Sequence, residues 1–251
     1  MIHHPGLDDV IFLKTVDSTN LEVKRRRKEF LGSNILVVSD EQTQGKGQKG
    51  RIWESAAGLG LWMSLHLGQE KALAQDLQLL SLYTGVVIHK ILAPLVRSKV
   101  CLKWPNDILM DSRKCGGILT ELQWQGERIT SATIGVGINL SHTRQDFPAF
   151  LQNQATSLQL EGLEHPDCSR LINTFVNEFF DGFTSMDDGG QLAREWNSKA
   201  FKLGKLIQWE NAEGIVKGVF SGINSRGDAL INIDGELRAF HTGEIRLLKT
   251  D

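Results

Sequence analysis

Apolar and polar residues alternate with a period of two over residues 59–67, where Leu59, Leu61, Met63, Leu65 and Leu67 interleave with Gly60, Trp62, Ser64 and His66. That alternation predicts a strand with two unlike faces. Apolar runs at 11–16 and 34–40 predict two more strands. Between them Asp17-Ser18-Thr19-Asn20 opens a helix, with Thr19 and Glu22 at capping-box spacing and Gly32 as its stop. Residues 76–93 are apolar at helical spacing, and Pro94 closes them. Runs at 100–104, 116–124 and 129–140 read as strands separated by turns at Asp111-Ser112-Arg113 and Gln125-Gly126-Glu127. Links this short join antiparallel neighbours, because a parallel return needs a crossover of about a dozen residues or more. The expected class is α+β, with a central mixed, largely antiparallel sheet flanked by helices, and not a doubly wound fold.

Residues 169–198 are helical in pattern, after which the texture changes. Runs at 206–209, 215–223, 229–233, 237–241 and 245–248 predict five short strands, with turns at 224–228 and at Asp234-Gly235. Five such strands in so short a tail predict a small closed or nearly closed barrel, since closure removes unpaired edges. The expected division is therefore residues 1–200 for a first domain and 201–251 for the barrel.

Length and charge narrow the function classes. A chain of 251 residues suits one large domain plus a small one. Its net charge of −2 disfavours a binder that coats nucleic acid through overall basicity. The three cysteines, Cys101, Cys115 and Cys168, form no Cys-x-x-Cys pair, which disfavours a zinc site or disulfide framework and points to a reducing cytosol. No charged head with an apolar run opens the chain, and the longest apolar region, 79–96, is broken by His89 and Lys90. A soluble chain without a membrane segment is expected.

Several clusters could carry chemistry. Gly45-Lys46-Gly47-Gln48-Lys49-Gly50 matches a dinucleotide fingerprint by letter, but no helix opens at its last glycine, and no lysine there precedes Ser or Thr. Both the Rossmann and the Walker readings fall. What remains is a loop whose glycines free backbone N–H groups and whose Lys46, Lys49 and Arg51 suit a phosphate or carboxylate. A solvated surface loop accounts for the same letters. Ser18-Thr19-Asn20 is either a helix cap alone or also a set of donors and acceptors facing a polar heterocycle. Trp53, Trp62 and Trp104 taken singly read as core. Lys103-Trp104-Pro105-Asn106-Asp107 is more specific, a strand running into a rigid turn that gathers an amide, a carboxylate and an ammonium. Lys114 by itself is a turn lysine, and residues 135–139 a glycine-rich strand packed closely on another backbone. The run Lys24-Arg25-Arg26-Arg27-Lys28 covers both faces of a helix beside Glu22 and Glu29, as a solvated surface does.

Five segments together resemble the biotin–protein ligase family, also called biotin–[acetyl-CoA-carboxylase] ligases, in order and spacing. They are Val16-Asp17-Ser18-Thr19-Asn20, Gln42 with the loop to Arg51 and Trp53, Lys103 to Asp107, Lys114-Cys115-Gly116-Gly117-Ile118-Leu119, and Gly135-Val136-Gly137-Ile138-Asn139. The likeness implies a class II synthetase-like fold followed by an SH3-like barrel. It also implies ATP-dependent activation of biotin to biotinyl-5'-AMP and transfer to a lysine of a biotin carboxyl carrier protein. Such chemistry needs cations, because a carboxylate must approach a triphosphate before it can become a reactive anhydride. By the resemblance, Lys114 binds the biotin carboxylate and adenylate bridge, and the N–H groups of Lys46 and Gly47 close over the ligand. Ser18, Thr19, Asn20 and Gln42 address the ureido head, Trp53 shields the tail, and Gly117 belongs to the biotin site. Gln48, Lys49, Arg51, Asn106, Asn139 and Lys103 lie near ATP, and Asp107 helps hold Mg²⁺ or takes a proton from the incoming lysine.

The same resemblance implies biotin and ATP as ligands, Mg²⁺ as the metal, no DNA or membrane partner, a cytoplasmic location, and either a monomer or a homodimer. Its first catalytic strand starts near Ile11, which leaves too short a leader for a DNA-binding domain, so the monofunctional type is expected. Lipoate ligase or octanoyltransferase is the alternative within the fold group, and a transferase would use Cys115 as nucleophile. One departure stands out. The family's loop usually reads Gly-Arg-Gly-Arg, whereas Lys46 and the uncharged Gln48 stand here, so retention of the adenylate is expected to lean on Lys49 or Arg51.

Overall fold

The alternating segment is strand β3 (Gly60–Leu67), and in the computed structural model both of its faces are covered. This structure describes residues 2–68, 77–125, 128–183, 189–211 and 214–246. Around β3 lie β1 (Asp9–Val16), β2 (Asn34–Gln42), β4 (Val100–Lys103), β5 (Asp107–Met110), β6 (Arg113–Gln125) and β7 (Arg128–Asn139). They form one sheet in the order β1-β2-β3-β7-β6-β5-β4. Only β1 and β2 pair in parallel, joined by α1 (Thr19–Arg26) as the crossover; every other ladder is antiparallel.

The leucine face of β3 packs with Leu36, Val38, Ile134 and Val136 against α2 (Leu77–Leu92) and α3 (Cys168–Phe183). Helix α3 supplies Leu171, Ile172, Phe175, Val176, Phe179 and Phe180, an apolar stripe at the helical period. On the opposite face Ile35 and Val37 meet Val23 and Phe30, and farther along that face lie Trp62, Ser64 and His66, all buried. The polar half of the alternation therefore faces a second, partly polar interior rather than water.

A second sheet, β11-β10-β9-β8-β12, is antiparallel throughout and built from β8 (Leu206–Asn211), β9 (Gly214–Ile223), β10 (Ala229–Ile233), β11 (Glu236–Phe240) and β12 (Glu244–Arg246). Its end strands share no ladder among the described residues, so it is barrel-like rather than fully closed. Trp104 bolts the two sheets together: it is buried, 5.1 Å from the Trp209 ring, and its Nε1 donates to Gly227 O at 3.0 Å.

Four sequence expectations need correction. No strand is expected over 107–110, where β5 lies, because four residues are too few to show a period. Helix α1 stops at Arg26, well before Gly32. Its N-cap is Ser18 without a side-chain cap, and the Thr19 N–H donates instead to Gln42 Oε1 at 2.8 Å, so a residue from β2 replaces the expected capping box. The single helical stretch at 169–198 holds two helices, α3 and α4 (Gly189–Ser198). Asp76, the turn at Gly126-Glu127 and residues 247–248 lie outside the described residues.

Burial of His66, His89 and His142 holds each imidazole below its ordinary pKa. The unfolded chain then binds more protons than the fold below about pH 6.5, so stability falls as pH drops through that range. Thermal melting should shift down between about pH 7.5 and 5.5, and a flat profile would contradict this burial account.

Candidate active site

Register brings the candidate residues together. Lys103 pairs with Asp107, Asp107 with Gly117, Gly117 with Gly137, and Gly137 with Trp62, so one row crosses five strands. The next row on the same face joins Leu119, Gly135 and Ser64. Lys114 belongs to neither row. The β5–β6 register shifts between Ile108 and Leu109, which pair with Gly116 and Lys114, leaving Cys115 as the extra residue. This bulge re-aims Lys114 toward Asp107, since bulges rotate the side chains that follow them. Backbone bonds from Lys114 N to Gln154 O and from Thr156 N to Lys114 O clamp it from the other side.

These rows floor a cavity of about 730 Å³, lined by Ser18, Thr19, Asn20, Gln42, Lys46, Gly47, Gln48, Arg51, Trp53, Lys103, Asn106, Asp107, Lys114, Gly117 and Asn139 among others. Lys49 alone of the expected residues does not line it. It takes the left-handed corner of the tight turn, with φ 58°. Gly47 lines the wall, but its N–H donates to Arg51 O at 2.7 Å. Lys46 pairs with Ile52 at a non-hydrogen-bonded position, between the Gly47 and Trp53 bonds, so the Lys46 N–H is the one the hairpin leaves free.

At one end of the cavity lie small polar groups. Gln42 Oε1 accepts from Thr19 N and Thr19 Oγ1, and Gln42 Nε2 donates to Ser55 Oγ at 2.8 Å. Its amide is thus used inside the protein, as a brace for the turn. In the middle, the Trp53 ring lies over glycines: a Cβ at Gly137 would come within 2.6 Å of Trp53 Nε1, and one at Gly117 within 3.3 Å of its ring. The glycines of residues 135–137 make room for side chains rather than for another backbone, because Gly135 likewise admits Asn20.

Cations gather at the other end. Lys114 Nζ donates to Asp107 Oδ1 at 2.5 Å and sits 5.1 Å from the centroid of Trp53, and Lys103 Nζ donates to Asp107 Oδ2 at 2.9 Å. Burial would raise the Asp107 carboxyl, but Lys114 and Lys103 outweigh it and hold it below the ordinary value. Sequence reading missed Glu244, which reaches over from β12: its Oε1 accepts from Arg51 Nη1 at 3.1 Å and lies 3.8 Å from Lys103 Nζ. Trp53 Nε1 and His142 Nδ1 are buried at this cavity without a partner in the protein. Asn106 Nδ2 donates to Ile118 O and Asn139 Nδ2 to Thr156 O, which fixes both amides in the wall.

The residues do not fit a protein-built magnesium site. Both carboxylates of this cluster, Asp107 and Glu244, already hold lysine or arginine, and the described residues contain no group of three acidic, imidazole or thiol ligands.

A cavity with an amide-rich end, an indole wall and a cationic end suits a ligand with a polar head, an apolar stem and an anionic tail. Comparison with known proteins supplies the family. The model of the biotin/lipoate A/B protein ligase family matches residues 12–139. This chain belongs to that family. Within the biotin/lipoate ligase family it is 32% identical over 240 residues to the Bacillus subtilis bifunctional ligase/repressor BirA, covering 95% of this chain and 74% of that protein. It is 26% identical to the biotin--[acetyl-CoA-carboxylase] ligase of Mycobacterium tuberculosis, covering 91% and 85%. The biotin protein ligase of Aquifex aeolicus, solved in complex with biotin and ATP, superposes with a TM-score of 0.82 at 27% identity, over 97% of this chain and 100% of that one. As a ligase fold, then, the expected mixed sheet with a small barrel-like tail is present.

Proposed function

We infer that this chain is an ATP-dependent biotin–protein ligase that forms biotinyl-5'-AMP and transfers biotin to a lysine of a carrier protein. The observation that carries this reading is Lys114, held by a bulge at the junction between the indole-walled middle and the cationic end. In the first step the biotin carboxylate attacks the α-phosphorus and pyrophosphate leaves; in the second the acceptor amine attacks the acyl carbon and AMP leaves. Lys114 offsets the charge as carboxylate and phosphate meet, with Lys103, Lys46 and Arg51 on the phosphate side. Ser18, whose buried hydroxyl caps no helix N–H, serves the ureido head with Thr19 and Asn20. Any magnesium needed would be held by the triphosphate oxygens, since the described residues offer no cage of their own.

Both Asp107 oxygens already hold lysine ammonium groups, which leaves none for a metal, and the same lysines keep the carboxylate too weakly basic for proton abstraction. Its role here is to fix those two ammonium groups. The octanoyltransferase alternative lacks a nucleophile: Cys115 is buried, burial pushes its thiol far up, and its Sγ–H points to Asn139 O. We assign catalysis to residues 1–200 with the barrel at 201–251 lending Glu244, and place the protein in a reducing cytoplasm, consistent with three unpaired cysteines. No described helix is long and apolar enough to cross a membrane.

Transfer is tested by incubating the chain with biotin, ATP and a biotin-carboxyl-carrier domain and mapping the modified lysine by mass spectrometry. A domain that stays unmodified would sink the reading. Adenylate retention gives a second prediction. Arg51 lines the cavity and Lys49 does not, so Arg51→Ala should raise biotin labelling of bystander lysines by about tenfold and Lys49→Ala scarcely at all. Gln48→Arg should lower that labelling. Equal leakage from Lys49→Ala would show that the loop rearranges around its ligand.

A further inference from the structure

A planar amide has two unlike ends, and which end faces a ligand decides whether it accepts or donates. Asn20 Nδ2 donates to Glu121 Oε2 at 2.7 Å, with a longer contact to Leu119 O at 3.4 Å. Asn20 Oδ1 lies 2.5 Å from Ser64 Oγ, which is itself 2.7 Å from Thr19 Oγ1. A hydroxyl donates or accepts by rotating, so Ser64 would tolerate the amide in either orientation. Glu121 would not, since a carboxylate only accepts. The register explains its reach. Glu121 pairs with Thr133, two residues along β7 from Gly135, and a Cβ at Gly135 would come within 2.4 Å of Asn20 Oδ1. Asn20 therefore lies against cavity-lining Gly135, while Glu121 stands exposed and outside the lining.

We propose that Glu121 is a positioning residue for the ring end of the ligand: by holding Asn20 Nδ2 it keeps Asn20 Oδ1 as the acceptor at the cavity wall. One lone pair of that oxygen takes the Ser64 hydroxyl and the other is kept for an N–H donor, which a ureido ring supplies. This rests on the reading of the cavity as a biotin site. It makes Glu121 a determinant of ligand choice without contact, favouring rings that donate at this point over rings that only accept.

The test is biotin affinity by calorimetry on the full chain, with the Michaelis constant for ATP and thermal melting measured alongside. Because Glu121 is exposed, its variants should melt close to the wild type. Glu121→Ala frees the amide to turn and should weaken biotin about tenfold, the scale of one hydrogen bond. Glu121→Lys, a donor that attracts Asn20 Oδ1, should weaken it further, whereas Glu121→Gln keeps an acceptor and should restore near-normal affinity. The ATP constant should not move. In an Asn20→Ala background, Glu121→Ala should add nothing, because its effect runs through that amide. Wild-type binding of biotin with no change in Glu121→Ala and Glu121→Lys, or an undiminished loss in the Asn20→Ala background, would overturn the role of Glu121 alone. A wild-type chain that binds no biotin would overturn the biotin reading and this inference with it.

Discussion

Replacing Lys114 by alanine is expected to slow biotin-dependent pyrophosphate release by about 10²–10³-fold, the scale of losing one preorganised charge at a reacting centre. Melting should change little. The Lys114 side chain is 35% exposed, its backbone bonds to Gln154 and Thr156 survive the substitution, and Asp107 keeps Lys103 as a partner. A surface-type truncation of this kind costs about 0.5 kcal/mol, or about 1–2 °C for a chain of this size. Parallel loss of activity and stability would make Lys114 a structural residue.

Asp107→Asn should do the opposite in proportion, destabilising the fold as well as the chemistry. Asp107 and Lys103 are each only 11% exposed, so removing the charge leaves an ammonium in a poorly hydrated place with only Glu244, at 3.8 Å, as acidic neighbour. The expected loss is about 3 kcal/mol, the low end for breaking a buried pair, because Lys114 can still reach water. Pyrophosphate release should fall too, since both ammonium groups lose their anchor. The pH dependence gives an independent check. A carboxyl held low in the fold contributes stability that is present above its ordinary range and lost as pH falls through the depressed value. Urea unfolding from neutral to acidic pH should therefore show a steeper acid loss in the wild type than in Asp107→Asn. Identical slopes would mean that Asp107 is not the paired carboxylate described.

The contrast between these residues shows what a sequence displays and what it hides. Residues 59–67 announce a strand because both faces follow a local period, and the Lys103 to Asp107 segment announces a site because five chemically distinct residues stand together. The aim of Lys114 is different. It depends on a bulge at Cys115 created by pairing with β5, a strand too short to leave a pattern. Glu244 comes from the barrel, over 130 residues from Lys103, and nothing in its neighbourhood marks it as part of a catalytic cluster. Ser64 and Glu121 were invisible for the same reason, since only the register across β3, β7 and β6 sets them beside Asn20. Trp104 reads as core from sequence and is core, yet what it packs against is the barrel. Lys46 and Gly47 are both expected as backbone donors to the ligand, Gly47 through its own N–H. The hairpin uses that N–H itself and leaves the neighbouring one at Lys46, a distinction that one residue of register decides.

The central claim is that this cavity activates biotin as an adenylate before any acceptor arrives. The most direct measurement is exchange of labelled pyrophosphate into ATP by the purified chain without a carrier protein, run with biotin, lipoate, octanoate or no acid. The account predicts exchange with biotin, negligible exchange with the other acids or none, and its loss in Lys114→Ala. Exchange that ignores biotin, or that lipoate supports equally, would contradict it.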